Sequence, residues 1–268
     1  MLDKETGVDY RVDGNGVAYL TLNRPEKHNA FDDVLISKMT VYLQQAAGDD
    51  NVRVLVLQAE GKHFCAGADL TWMQRMVKYS EQENKDDAHR LAELLDTLYR
   101  LPKPTIARVQ GAAFGGAVGL IACCDIAVAS KLSKFCLSEV KLGLIPATIS
   151  PYVMKAMGER IARRYFMTAE VFSSRRARRL GLISETVTED SLDTTIEEIV
   201  SALLKNGPHA VSAAKALSHD IAGKTIDADM LIETSERIAH IRVSEEGQEG
   251  LSAFLEKRAP TWRNDSQG

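Results

Sequence analysis

The apolar positions of the first half of the chain fall into short runs with the β-branched, every-residue character of strands, each followed by a stretch with helical spacing. Val17-Ala-Tyr-Leu-Thr-Leu22 is the first such run, and a helical stretch follows it from Asp32. Val52-Arg-Val-Leu-Val-Leu57 is the second, followed by helix-like sequence through Arg100, and Thr105-Ile-Ala-Arg-Val109 is the third. Asp125-Ile-Ala-Val-Ala129 and a short run at Lys134-Phe-Cys136 complete the strand signals. Alternation of this kind predicts parallel strands covered by helices, with right-handed crossovers stacking the units in chain order.

From about Ala147 the pattern changes. Strand signals fade and apolar residues recur at helical spacing, as at Ile196, Ile199 and Leu203, with others at Ala156, Ile161, Phe166 and Ile232, which predicts a helical C-terminal region. Ser174 precedes a basic helix, and Thr188-Glu-Asp190 leads into an apolar-periodic helix that Asn206-Gly207-Pro208 stops near Leu204. The stretch from Tyr79 to Arg90 is dense in charge and poor in apolar residues, and reads as a solvated face or mobile loop rather than a binding site. There is no internal repeat.

At 268 residues, 45% of them hydrophobic, the chain has apolar material for one large core with an appendage. Its net charge of -4 offers no global positive field to concentrate nucleic acid or an anionic membrane, so basic residues that bind anions must act locally. No apolar run approaches the roughly 20 residues needed to span a bilayer, and Met1-Leu2-Asp3-Lys4-Glu5 lacks the layout of a secretory signal. The expectation is a soluble, cytoplasmic protein. Cys65, Cys123, Cys124 and Cys136 form no C-x-x-C pair and have no His at finger spacing, so buried, reduced thiols and no metal site are expected.

Chemistry enters at Val109-Gln-Gly-Ala-Ala-Phe-Gly-Gly-Ala-Val-Gly-Leu-Ile-Ala-Cys-Cys-Asp125, directly after a predicted strand. A helix beginning at about Gly115 to Gly116 leaves its first N–H groups without helical partners, and its dipole favours negative charge there. Such donors can hold an oxyanion. Gly111, Gly115, Gly116 and Gly119 fit neither G-x-G-x-x-G nor G-x-x-x-x-G-K-[ST], so a phosphate loop is rejected; glycines needed only for tight helix–sheet packing are the plain alternative. A second junction, Gly61-Lys-His-Phe-Cys-Ala-Gly-Ala-Asp-Leu70, follows the preceding strand and can aim another N–H at the same point. Phe135-Cys-Leu-Ser-Glu-Val-Lys-Leu-Gly-Leu-Ile-Pro146 then places one acid, Glu139, in an apolar loop.

These three segments, with Leu22-Asn-Arg-Pro-Glu-Lys-His-Asn-Ala30, Ala177-Arg-Arg-Leu-Gly-Leu182 and Glu249-Gly-Leu-Ser-Ala-Phe-Leu-Glu-Lys-Arg258, resemble the signature segments of the crotonase (enoyl-CoA hydratase/isomerase) superfamily in the expected order along nearly the whole chain. The resemblance implies an α/β fold, the crotonase (ClpP-like) spiral of ββα units over residues 1–200, and a helical region over 201–268 that joins subunits into trimers or dimers of trimers. It implies that the backbone amides of Ala68 and Gly116 hold a thioester oxygen and that Glu139 moves protons. CoA, arriving as part of an acyl-CoA substrate with no separate cofactor, would be cradled by Ala66, Gly67, Ala68, Asp69 and Leu70 beside Gly115 and Gly116. Its phosphate end would lie near Lys27 and near Phe254 and Lys257 of a neighbouring subunit, although both lysines also read as ordinary solvated ones.

One departure bears on the reaction. Typical hydratases of the superfamily carry two glutamates, and the first falls where this chain has Gly119; Asp125 reads as structural rather than as a replacement. Within the superfamily the sequence looks most like methylglutaconyl-CoA and isohexenylglutaconyl-CoA hydratases of leucine and acyclic-terpene breakdown, whose substrates bring a carboxylate of their own. The expectation is that this carboxylate works in the space Gly119 leaves open. The alternatives are a double-bond isomerase using Glu139 alone and, outside enzymes, a crotonase-fold scaffold or RNA binder, against which the intact motifs and the acidic charge balance count.

Overall fold

A computed structural model describes residues 7–263. The chain runs β1 (Val8–Val12), β2 (Val17–Leu22), α1 (Asp33–Gly48), β3 (Val54–Ala59), α2 (Leu70–Met76), α3 (Glu81–Tyr99), β4 (Thr105–Val109), β5 (Ala112–Phe114), α4 (Gly116–Cys123), β6 (Ile126–Ser130) and β7 (Lys134–Cys136). It continues through α5 (Ser150–Met157), α6 (Glu159–Thr168), β8 (Phe172–Ser173), α7 (Ser174–Arg179) and β9 (Glu185–Val187) to α8 (Leu192–Leu204), α9 (Pro208–Ile221), α10 (Ala228–Val243) and α11 (Glu245–Leu255).

Two sheets form. The larger has the order β1-β2-β3-β4-β6-β9, and the smaller β5-β7-β8. In the larger sheet β1 is the antiparallel edge and the other pairings are parallel. Single bridges extend the smaller sheet, Cys65 beside Ala113 and Phe31 beside Ala68. Each turn of the chain therefore places one strand in the large sheet and one short extended piece in the small one before a helix returns it, which is a ββα repeat. The glycine-rich segments are the pieces that cross from one sheet to the other.

The period of two in β3 shows why the large sheet sits where it does. Leu55 and Leu57 enter the main core with α1, α3 and α4, while Val54 and Val56 enter a second cluster with Leu192, Ile196 and Val200 of α8. Both faces are covered, so the strand reads as a continuous apolar run. Asp32 caps α1 by accepting from the Leu35 N–H at 2.8 Å. Ser80 and Glu83 form a capping box at the start of α3, so the charged stretch from Tyr79 is the solvated face of a helix and not a loop.

Several boundaries differ from those the sequence predicts. The second strand runs Val54–Ala59, because Val52 and Arg53 lie in the turn before it, and Asp125 precedes rather than begins β6. Strands β1, β5, β8 and β9 are not among the predicted ones, although Val8-Asp-Tyr-Arg-Val12 of β1 alternates apolar and polar residues as a strand does, and the last two interrupt the region expected to be helical. The cap of α7 is Ser173, accepting from Arg176 N–H at 3.3 Å, with Ser174 inside the helix and buried. Helix α8 spans position 200, where the spiral and the C-terminal region were expected to part.

Burial pushes the Cys65 and Cys124 thiols up to about 12, which keeps them protonated and inert. No helix of the described residues is long and apolar enough to cross a membrane. Helices α9 and α10 bury no residue within the chain, while Leu231, Ile232, Val243, Leu251, Phe254 and Leu255 are exposed along α10 and α11.

Candidate active site

The loop leaving β3 is held between two extended neighbours. Cys65 N–H donates to Ala112 C=O at 3.0 Å and its carbonyl accepts from Phe114 N–H at 3.0 Å. On the other side Phe31 N–H donates to Gly67 C=O at 2.8 Å, and Asp69 N–H donates to Phe31 C=O at 2.6 Å. In a parallel bridge the straddled residue turns its own N–H and C=O away from its partner, so the Ala68 N–H points away from Phe31. The segment presents Ala66, Ala68 and Leu70 to solvent and buries Gly67 and Asp69. Gly67 has φ +114°, which a residue with a side chain rarely adopts. Asp69 then caps α2 by accepting from Thr71 and Trp72 N–H.

The loop leaving β4 carries the second candidate donor. Gly115 N–H donates to Cys136 C=O at 2.8 Å, and the Gly115 carbonyl accepts from Val118 N–H at 2.9 Å. Gly115 has φ 57° and ψ −125°, and with that turn α4 begins at Gly116, whose N–H belongs to the first helical turn and has no carbonyl four residues back to meet. Strands β3 and β4 are parallel neighbours, and the Cys65–Ala113 bridge ties the two loops together. The Ala68 and Gly116 N–H groups thus sit on adjoining loops, and a pair of backbone donors is chemistry suited to a developing oxyanion.

Glu139 opens a 3-10 turn, Glu139–Leu142, directly after β7. Its carbonyl accepts from Leu144 N–H at 3.1 Å, and Gly143, at φ +73°, closes the turn. A β-carbon on Gly115 would lie 3.4 Å from Glu139 Oε1, so the carboxyl group stands against the start of α4. Its Oε2 is buried without a hydrogen-bond partner among the described residues. Burial pushes the Glu139 carboxyl above its ordinary value of 4.5; loss of water around the charged form is the cause. A poorly solvated carboxylate with an unused oxygen is a competent proton carrier.

The position of Gly119 corrects an expectation. A β-carbon there would come 2.7 Å from Ile149 Cβ and closer still to Ile149 Cγ2. The space beside Gly119 is filled by Ile149, so it is not open to a substrate carboxylate. Asp125 is structural, as expected: its Oδ2 accepts from Thr105 N–H and hydroxyl at 2.8 and 2.9 Å and pairs with Lys215 at 2.8 Å. Lys27 reaches Asp69 at 3.3 Å with its side chain half exposed, which ties it to the Ala68 loop. Phe254 near the end of α11 and Lys257 just beyond it stand exposed, and the main contacts of α11 are with α9 and α10. A groove of about 790 Å³ walled by Tyr19, Arg53, Val200 and Trp262 lies at the opposite, N-terminal ends of β2 and β3.

Sequence reasoning missed Ile149 and Phe31. Ile149 lies three residues past the acid-bearing segment that ends at Pro146, but nothing in its type marks it, since one isoleucine before a helix resembles any core residue. Phe31 had one: it directly follows the matched segment that ends at Ala30.

A family model described as enoyl-CoA hydratase/isomerase matches residues 13–265. The crystal structure of an enoyl-CoA hydratase from Shewanella pealeana superposes with a TM-score of 0.93 at 50% identity, covering 97% of each chain. The 2,3-dehydroadipyl-CoA hydratase of Escherichia coli is 30% identical over 252 residues, 92% of this chain and 95% of the relative. The trans-2-decenoyl-[acyl-carrier-protein] isomerase of Streptococcus mutans is 30% identical over 258 residues, 94% of this chain and 95% of the relative. With the ββα spiral and its helical C-terminal region in place, and a family model matching residues 13–265, the chain belongs to the enoyl-CoA hydratase/isomerase (crotonase) family.

Proposed function

We propose that the protein adds water to the double bond of an enoyl-CoA thioester, with Glu139 as acid and base. The observation that carries this reading is the Glu139 carboxyl group, half-buried, with one oxygen unpaired and the other against Gly115 at the helix start. The thioester oxygen accepts from Ala68 and Gly116 N–H, which stabilises the enolate that forms when hydroxide adds to the β-carbon. Glu139 takes the proton of the attacking water and returns it to the α-carbon, giving a 3-hydroxyacyl-CoA. One carboxylate balances the reaction, and neither redox nor metal chemistry is needed for it. The outward-facing Ala66, Ala68 and Leu70 cradle CoA, Lys27 meets its phosphates, and Phe254 and Lys257 contribute from a neighbouring copy.

The acyl group is proposed to be of glutaconyl type, carrying a distal carboxylate. The motif resemblance supports this, as does the name of the Escherichia coli relative, since an adipyl chain also ends in a carboxylate. That carboxylate must lie further along the acyl pocket, because Ile149 fills the space at Gly119. Self-association through the region from residue 201 is supported by the exposed apolar residues of α10 and α11, which a trimer or dimer of trimers would cover.

A specific observation favours a second reading. The side chain opposing Gly119 is apolar, so no second acid stands there to hold water, and moving a double bond needs only one group to carry a proton between carbons. The experiment that separates the two gives purified protein methylglutaconyl-CoA and crotonyl-CoA in turn and follows both the absorbance of the conjugated thioester and product mass. Hydration removes the absorbance and adds the mass of water. A double-bond shift without added mass would establish the isomerase instead, and no turnover of either would point to a scaffold.

A further inference from the structure

Phe31 touches both halves of the donor pair. Its backbone holds Gly67 and Asp69, the residues on either side of Ala68, through bonds of 2.8 and 2.6 Å. Its ring meets the other half, since a β-carbon on Gly116 would lie 3.4 Å from Phe31 Cε2 and 3.5 Å from Cδ2. The residue is 3% exposed and sits in the main core. Ala68 and Gly116 ride on loops from different strands, joined directly by the Cys65–Ala113 bridge, which is three residues from each donor. Phe31 therefore spans from one donor to the other where that bridge does not.

We infer that Phe31 is a positioning residue whose ring sets the separation and aim of the Ala68 and Gly116 N–H groups. The inference rests on the reading of those two groups as the donors to the thioester oxygen. The physical basis is that a close-packed interior has no slack to absorb a change of volume, while a hydrogen bond weakens steeply as its angle closes. A plate wedged between a bridged strand and a helix start transmits its width to both donors. The backbone bonds survive substitution of the side chain, so replacing the ring isolates its contribution.

The test uses the full chain and a saturated acyl-CoA carrying a ¹³C thioester carbonyl, read by difference infrared spectroscopy. Polarisation by two aligned donors moves the carbonyl band of the bound ester to lower frequency than that of the free ester. In Phe31→Leu the bound band should move back toward the free value and kcat should fall about tenfold or more, with KM within about threefold of wild type. Phe31→Ala should exaggerate both changes; if that protein does not fold, Phe31→Leu alone decides. A folded Phe31→Leu protein with the wild-type band and kcat overturns the inference. So does a loss of affinity without a change of band, which would mark Phe31 as a support of the binding surface only. If the wild-type band itself is unshifted, the assignment of Ala68 and Gly116 as donors fails, and the inference fails with it.

Discussion

Ile149 and Gly119 fit together as one packed unit, with Ile149 Cβ only 2.7 Å from where a β-carbon on Gly119 would stand. Any side chain at 119 must displace the residue that caps α5. Gly119→Glu is therefore expected to overpack the core at a cost of about 1–3 kcal/mol, seen as a loss of several degrees in Tm. It should not by itself create hydration of crotonyl-CoA. Adding Ile149→Ala to Gly119→Glu should recover part of the lost Tm, which thermal melts of the three proteins check. A Gly119→Glu protein as stable as wild type would contradict this packing.

Glu139→Gln is expected to keep acyl-CoA affinity while losing about 10²–10⁴ in kcat, the usual range for one acid–base group. The same substitution makes a prediction about stability. The folded carboxyl is raised above its ordinary 4.5, so the native state holds the proton more tightly than the unfolded chain. Its stabilising contribution is complete below about pH 4.5 and is lost as pH rises through the folded value. At neutral pH Glu139→Gln should thus melt no lower than wild type, and any advantage should vanish in acid. For the same reason kcat/KM, which reports the free enzyme, should fall as pH drops through an apparent pKa above that of free glutamate, as Glu139 loses its role as base.

At Gly115 the backbone decides the outcome. With φ 57° and ψ −125° it lies in a region closed to residues with a β-carbon, where a substitution costs about 1–3 kcal/mol. That β-carbon would also stand 3.4 Å from Glu139 Oε1. Gly115→Ala should lower both Tm and kcat. Gly48→Ala, at the end of α1 with nothing within 4 Å, should leave activity unchanged and is the control.

Much of the fold is legible because burial writes itself into composition. The strand signals at Val17–Leu22, Thr105–Val109 and Lys134–Cys136 coincide with the observed strands; in the first two the apolar residues enter core clusters on both faces, and in the third Phe135 enters the main core. β5 was not legible: Ala-Ala-Phe has little strand propensity, and it pairs only because the glycines around it carry the chain across to the small sheet. β8 is two residues long, too short for any period to show. At the site, small residues revealed where backbone is exposed, because donors made of main chain need room above them. What fills the space around them was less legible, because a packing role is written in shape: the letters of Ile149 and Phe31 match those of any core position, and only the place of Phe31 beside a matched segment set it apart.

Lys27 pairs with Asp69, which caps the helix after Ala68. If Lys27 also meets the CoA phosphates, Lys27→Ala should raise KM for acyl-CoA several-fold at low salt with kcat little changed. The effect should shrink as salt rises, as screening of an exposed charge requires. Acyl-pantetheine substrates, which lack those phosphates, should be unaffected. An equal loss on both substrates would place the role of Lys27 in holding the loop instead.

Turnover of methylglutaconyl-CoA in H₂¹⁸O by wild type and Glu139→Gln, read by product mass, tests the central claim most directly. Wild type should give a 3-hydroxyacyl-CoA carrying one solvent oxygen, and Glu139→Gln should give almost none while still binding the ester. An unlabelled product from wild type, or equal label from both proteins, would contradict hydration by Glu139.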